Sequence, residues 1–182
     1  MDKALAGLDR NKDPEHLIEQ LMDQYGEHVK KLAYTYVKDW AIAEDVTQEV
    51  FISVYKNLHR FRGDASYKTW IYKIAMNKSK DAIKSRFLRP KKLLTKLQNQ
   101  KEVYEPSAEH HVFDNIGDIK LSEAVLMLPV KYREVIMLFY YEGLKLEEIQ
   151  AVTKLNLSTI KTRLRRAKSM LRDLYEEGVK HG

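Results

Sequence analysis

The sequence KLEEIQAVTKLNLSTIKTRLRRAKSML, residues 145–171, decides the fold of the C-terminal part of the chain. Ile149 and Val152 lie on one side of a short first helix, and after a break the apolar residues recur at steps of three and four. That spacing is typical of amphipathic helices. A short helix, a turn of about four residues and a longer helix form a helix-turn-helix, whose second helix enters the DNA major groove.

The second helix combines an apolar stripe with charge of one sign. Residues 155–171 contain five bases and no acid. Asn156 is placed as an N-cap, whereas Lys154 occupies a turn position where Gly is common and a positive φ would cost about 1 kcal/mol. A solvated basic helix is the alternative, but the preceding turn favours DNA binding. We expect these side chains to fix the helix to its domain: Leu157, Ile160, Leu164, Ala167, Leu171 and Leu174.

The bases divide by their position around this helix. Ser158, Lys161, Thr162 and Arg165 share a face that can reach base edges, which carry sequence information. Arg163, Arg166 and Lys168 are better placed for phosphates, which supply affinity and salt dependence.

Composition limits the possible classes of protein. The chain has 182 residues, a net charge of +6, seven Gly, four Pro and no Cys. The basic excess favours polyanions or anionic membrane surfaces as partners. Without Cys, disulfides and Cys-based zinc sites are excluded. No stretch approaches the roughly 18 apolar residues that span a bilayer, and the N-terminus is unlike a signal peptide, so we expect a cytoplasmic protein.

Periodicity predicts an all-α chain with two small helical domains, residues 10–88 and 118–178. The polar and Pro-containing residues 89–117 interrupt the pattern and are predicted to be a flexible linker, with a short helix at LLTKL. Pro14 is placed as a first-turn proline. Later helices are expected near residues 41–58, 66–86, 121–128, 130–142, 146–153 and 157–177. In the helix at 66–86, Trp70, Ile74, Ala75 and Ile83 are predicted to form the inner face.

The N-terminal domain carries an acidic segment, AEDVTQEVF, residues 43–51. Asp45, Gln48 and Glu49 cluster on the outward side of its helix, with Phe51 nearby. Acids around an exposed aromatic suit a protein interface. The alternative is an ordinary solvent-exposed helix face, with the Phe51 side chain in the core. No His lies near these acids in the sequence, so we predict no metal site.

The next segment, FRGDASYKTW, residues 61–70, mixes aromatic, basic and small polar residues beside a bend at Gly63. Aromatic walls and polar groups together suit unpaired bases. Trp70 could act as a melting wedge, but a Trp on an apolar helix face is more often core. For Phe61 and Tyr67, a core position and a position that faces the DNA are equally favoured.

Four segments of the chain resemble, in order and spacing, those of the bacterial sigma factors of the extracytoplasmic-function (ECF) group. They are the two N-terminal segments described above, LPVKYREVIMLFYYEGLKLEEI (residues 128–149) and the basic helix. The resemblance implies two helical domains that direct RNA polymerase core to promoters, without catalysis, cofactor or small-molecule substrate. It also implies an inhibitory anti-sigma factor, often membrane-bound, and a nucleoid location when the factor is active.

The resemblance assigns roles to individual residues. Docking on the coiled coil of the largest polymerase subunit is implied for Asp45, Gln48, Glu49 and Phe51, with a second contact at the polymerase flap. Binding of the opened −10 strand is implied for Arg62, Gly63, Asp64, Ala65, Ser66, Lys73, Asn77, Lys80, Asp81, Lys84 and Arg86. Binding of the −35 duplex is implied for Ser158, Thr159, Lys161, Thr162, Arg163, Arg165, Arg166 and Lys168.

Two other functions fit parts of the sequence. A duplex-only activator or repressor would bind neither single strands nor polymerase core through residues 10–88. A metal-dependent nuclease would need carboxylates at spacings that the chain does not show. The linker can extend to roughly 100 Å, which covers two promoter elements about two helical turns apart.

Overall fold

The computed structural model describes residues 13–88 and 119–180, with side chains for 13–85 and 120–176, and every regular element in these ranges is helical. The all-α prediction is confirmed. The predicted linker and its LLTKL helix lie outside the described residues. The elements are α1 (Pro14–Val37), α2 (Trp40–Asn57), a 3₁₀ turn (Leu58–Arg60), α3 (Tyr67–Leu88), α4 (Ile119–Met127), α5 (Val130–Ile136), a wide π-type turn (Met137–Tyr141), α6 (Leu146–Thr153) and α7 (Leu157–Lys180).

Helices α1, α2 and α3 pack together as the N-terminal domain. Asp13 caps α1 by accepting a hydrogen bond of 2.9 Å from the amide of His16, and Pro14 occupies the first turn as predicted. Asp39 caps α2 in the same way through the amide of Ile42. These caps satisfy amides that have no partner inside the helix, so they determine where each helix begins.

The buried face of α3 differs from the prediction. The sequence placed Trp70, Ile74, Ala75 and Ile83 inward, but of these only Ala75 is fully buried. The buried side chains are Thr69, Ile71, Tyr72, Ala75, Met76 and Ser79. Helix α3 packs against α1 and α2 on one side and against α6 on another. Because three helices pack against α3, its buried residues do not form a single stripe.

The C-terminal domain is organised around α7, which packs against α4, α5 and α6. Ile160, Leu164 and Ala167 are buried, and Leu157, Leu171 and Leu174 pack partly buried against the same core. The predicted stripe is therefore confirmed. It anchors α7 along one side and leaves the opposite side open to a partner.

The two domains touch each other. Helix α6 lies along α3, and α5 contacts α1. Among the helices within 13–88 and 119–180, none is long and apolar enough to cross a membrane.

Candidate nucleic-acid interface

The turn before α7 is built as a helix-turn-helix requires. Lys154 closes α6 in the left-handed conformation, with φ 60°, and its amide donates to the carbonyl of Gln150. The Oδ1 of Asn156 accepts a hydrogen bond of 2.7 Å from the amide of Thr159, which confirms the predicted N-cap. Lys154 thus adopts the positive φ for which Gly is usually preferred.

The outer side of α7 carries the predicted base-reading residues. Ser158, Lys161 and Arg165 are exposed, and Thr159 and Thr162 are half-buried at the edge of the packed side. Arg166 and Lys168 are also exposed, and the Lys168 ammonium lies 5.2 Å from the centre of the Tyr140 ring. The helix presents hydroxyls and bases together, the side chains that reach base edges and phosphates.

An open cleft of about 240 Å³ lies between the beginnings of α5 and α7. The side chains that line it come from both helices: Lys131, Tyr132, Ser158, Thr159, Thr162, Arg163 and Arg166. A hydrogen bond with Arg166 lowers the pKa of Tyr132. Two helix beginnings and several bases favour an anionic group such as a backbone phosphate.

Sequence reasoning missed Lys131 and Tyr132. The signal was Pro129, which marks the beginning of α5 and so the first turn that carries Lys131 and Tyr132.

Arg163 differs from the other bases of α7. Its NH1 lies 2.9 Å from Oε1 of the buried Glu134 and 3.4 Å from the carbonyl oxygen of Lys131. The guanidinium that was predicted to contact a phosphate is therefore already engaged within the protein.

The loop before α3 is largely open to solvent. Arg62, Gly63, Asp64 and Ala65 are exposed, and Gly63 adopts φ 81°, which favours glycine. Ser66 is different, because its Oγ accepts from the amide of Thr69 at 3.1 Å and so caps α3. Its hydroxyl is committed to the helix rather than presented with the rest of the loop.

Three aromatic rings form one cluster beside this loop. The Phe61 ring centre lies 4.4 Å from that of Tyr67 and 4.9 Å from that of Trp70. All three side chains are half-buried. Tyr67 and Trp70 pack against the core and Phe61 packs on both of them beside the loop, so neither sequence alternative describes the cluster fully.

The predicted strand-binding residues of α3 fall into two groups. Asn77, Asp81 and Lys84 are exposed, and Lys73 is half-buried. Lys80 instead forms an ion pair of 3.0 Å with Glu134 of α5. Arg86 lies in α3, but its side chain is outside those that the structure describes.

The outward side of α2 carries Asp45, Gln48 and Glu49, all exposed, and Glu49 pairs with Lys78 at 3.1 Å. The expectation that Phe51 is exposed beside them is wrong. Phe51 is 4% exposed, because it lies two positions beyond Glu49 and so turns toward the core between Val50 and Val54.

The apolar residues on the acidic side of α2 are ones that sequence reasoning missed. Ile52 and Tyr55 are 54% and 46% exposed. They continue from Asp45, Gln48 and Glu49 at steps of three and four, the spacing that would have revealed them.

Family comparisons agree with this geometry. Residues 21–87 match the model of sigma-70 region 2, and residues 118–171 match that of sigma-70 region 4. The RNA polymerase sigma factor SigV of Bacillus subtilis is 33% identical over 142 residues, covering 78% of this chain and 81% of the relative. The ECF sigma factor SigW of the same organism is 32% identical over 161 residues, covering 84% and 85%.

Solved structures share the fold. The sigma factor RpoE of Bartonella quintana, in complex with the anti-sigma factor NepR, aligns with a TM-score of 0.67 at 20% identity, over 87% of this chain and 96% of that one. CnrH, in complex with the cytosolic domain of CnrY, aligns with a TM-score of 0.66 at 20% identity, over 90% of both chains. With the two matched regions and the curated relatives, the chain belongs to the ECF group of the sigma-70 family of RNA polymerase sigma factors.

Proposed function

We propose that this sigma factor reads the −35 duplex with α7 and traps the opened −10 strand with the loop before α3 and the exposed side of that helix. The observation that carries the proposal is the outer side of α7, where Ser158, Lys161 and Arg165 are exposed on a helix anchored by a buried stripe. Such a helix can enter a major groove without disturbing its own domain.

The strand-trapping part of the proposal is supported by the exposed loop, residues 62–65, and the aromatic cluster beside it. Polar backbone and side-chain groups in the loop can bind the edge of an unpaired base, and the half-buried rings offer stacking surfaces. Asn77 and Lys84 continue this polar surface along α3. Strand opening on this proposal uses binding energy and changes no covalent bond.

Polymerase docking is proposed for the acidic side of α2. Asp45, Gln48 and Glu49 supply charge and hydrogen bonds, and the exposed Ile52 and Tyr55 supply the apolar anchors once assigned to Phe51. The coiled coil of the largest polymerase subunit is the proposed partner, with the polymerase flap as a second contact for the C-terminal domain. We also propose an anti-sigma factor as the inhibitor, and a cytoplasmic location because the template lies on the nucleoid.

Purified core polymerase tests the docking surface. The double substitution Asp45→Arg and Glu49→Arg should abolish a stoichiometric complex on size-exclusion chromatography, because both charges at the centre of the surface reverse. Duplex binding through α7 should remain. Asp173→Arg with Glu176→Arg makes the same change in net charge at exposed positions near the end of α7 and should leave the complex intact.

Retention of the complex by the Asp45 and Glu49 variant would show that α2 is not the docking surface. A wild-type chain that binds neither core polymerase nor unpaired non-template oligonucleotides would overturn the proposed function as a whole.

A further inference from the structure

The cleft between the beginnings of α5 and α7 contains two residues that the −35 assignments leave out. The residues assigned to that duplex all lie on α7, between Ser158 and Lys168. Lys131 and Tyr132 of α5 line the cleft together with α7. The volume of the cleft is about 240 Å³, and a water occupies about 30 Å³ in the liquid. The cleft therefore has room for a phosphate group with bound water.

The charges around this cleft favour an anion. Three bases line it, and none of the side chains that the structure places around it is acidic. Arg163 is already balanced, because its NH1 lies 2.9 Å from Oε1 of the buried Glu134. Lys131 and Arg166 are exposed, and no acid of the cleft offsets their charge. Like charges around one space create a positive potential that attracts an anion.

Both of these exposed bases interact with Tyr132. The Lys131 ammonium lies 5.0 Å from the centre of the Tyr132 ring, within the range of a cation–π contact. Hydrogen bonding with the Arg166 guanidinium lowers the pKa of the Tyr132 hydroxyl. Because a guanidinium only donates, the hydroxyl oxygen accepts from it and keeps its own proton for an outside acceptor. One side chain thus holds two cations close together and adds an O–H donor to the same site.

The cleft borders the side of α7 that is proposed to face the bases. Ser158 and Thr162 belong to that side and also line the cleft. A helix with its side chains is about 10–12 Å across, and the major groove is about 12 Å wide. A helix that reads base edges therefore touches the phosphate strands along its flanks. The cleft lies on one such flank of α7.

We propose that the cleft binds a backbone phosphate of the −35 duplex, with Lys131 and Tyr132 of α5 and Arg166 of α7 as its ligands. Helix α5 then takes part in DNA binding, and the bound phosphate fixes the orientation of α7 in the groove. A phosphate contact carries no sequence information, so the site contributes affinity and position but not the choice of promoter. The inference rests on the proposed function, which places α7 in the groove.

Lys131→Ala in the full chain tests the site through its salt dependence. The probe is a mixed-sequence duplex, followed by fluorescence anisotropy from about 50 to 200 mM salt. Loss of one phosphate contact should reduce the slope of log affinity against log salt by about 0.9, so the loss of affinity should be about 3.5-fold larger at the lower salt. Lys131 is exposed, so urea unfolding should be unchanged.

Two further variants separate charge from position. Lys120→Ala is the matched control, because Lys120 is an exposed base of the same domain on α4 and lies outside the cleft. It should leave the slope unchanged. Tyr132→Phe keeps the ring beside Lys131 but removes the hydroxyl. It should weaken duplex binding by about threefold without changing the slope, because a hydrogen bond is lost and no charge is lost.

A second duplex of unrelated sequence separates phosphate binding from base reading. Lys131→Ala should weaken binding to both duplexes by the same factor. An unchanged slope in the Lys131 variant, or losses that differ between the duplexes, would overturn the inference. If Lys161→Ala weakens duplex binding and Lys131→Ala does not, only the inference fails. If neither substitution weakens it, the proposed reading by α7 fails as well.

A free nucleotide is the other source of a phosphate group, and ATP is the probe for it. Isothermal titration calorimetry on the wild-type chain and on the Lys131 variant measures its binding. ATP binding that depends on Lys131, together with duplex binding that does not, would assign the cleft to a nucleotide and refute a role in DNA binding. Duplex binding that depends on Lys131, with no ATP binding by the wild-type chain, is the expected result.

Discussion

Helices α7 and α3 both carry bases proposed to contact DNA, but they are packed in different ways. Helix α7 is anchored by one stripe that includes Ile160 and Leu164, and its opposite side is open. Helix α3 is covered by α1 and α2 on one side and by α6 on another. Consequently Lys161 of α7 is exposed, whereas Lys80 of α3 is bound to a buried carboxylate.

The comparison shows that the role of a basic side chain depends on how its helix is packed. A base on the open side of α7, such as Lys161, keeps its charge for an outside partner and adds little to stability. A base on a helix between two domains, such as Lys80, is instead engaged by a carboxylate of the other domain and contributes to their association. Substitutions that treat α3 and α7 alike should therefore have unlike effects.

The largest expected effect comes from Tyr72→Phe in α3. The ring remains packed at an edge-to-face angle against Tyr25, but the hydroxyl that donates to Glu142 is lost. Leaving a buried carboxylate with one donor fewer should lower the free energy of unfolding by about 1–3 kcal/mol. Urea unfolding followed by circular dichroism measures the loss.

Tyr55→Phe is the matched control, since Tyr55 is exposed on α2 and should change the same quantity by less than about 0.5 kcal/mol. Equal effects of the two substitutions would contradict a role for Tyr72 between the domains.

The contrast between α7 and α3 also explains what could be predicted from the sequence. The stripe of α7, the Asn156 cap and the start of α1 at Pro14 were predicted because each depends on neighbours in sequence. The predicted inner side of α3 was wrong because α6, far along the chain, also packs against α3, where Thr69 lies 3.5 Å from Glu148. Helical periodicity assumes that a helix has one buried side, so it cannot account for burial of a further side by a second domain.

Prediction of the candidate site from the sequence was limited in the same way. Exposed residues of α7 and of the loop at 62–65 followed from helix geometry and from the bend at Gly63. The pairing of Lys80 and Arg163 through Glu134 did not, because the three residues come from α3, α7 and α5. Nothing in the spacing of a buried Glu identifies its partners in another domain.

A matched pair of substitutions, Lys80→Ala and Lys161→Ala, sharpens the comparison with a smaller effect. Loss of Lys80 should lower the free energy of unfolding by about 1 kcal/mol, since its side chain is 39% exposed and Glu134 keeps two other partners. Loss of Lys161 should change it by less than about 0.5 kcal/mol, but should weaken binding to a mixed-sequence duplex.

Urea unfolding and fluorescence anisotropy on both variants separate the two roles. A stability loss in the Lys161 variant equal to that in the Lys80 variant would remove the distinction drawn between the helices.

The smallest expected effect is a dependence of stability on pH through His28, whose Nδ1 lies 3.2 Å from Oε2 of Glu142. Its hydrogen bond with Glu142 raises its pKa above 6.5, against the opposing effects of partial burial, of Lys68 on α3 and of Lys31 on α1. A raised pKa means that the contact stabilises the folded state fully below 6.5 and that this contribution is lost as pH rises through the raised value. Urea unfolding at a series of pH values should therefore show a contribution to the free energy of unfolding that declines across that range. His28→Asn should remove this contribution and His59→Asn should preserve it. Identical pH profiles of the wild-type chain and the His28 variant would show that His28 does not stabilise the contact between the domains.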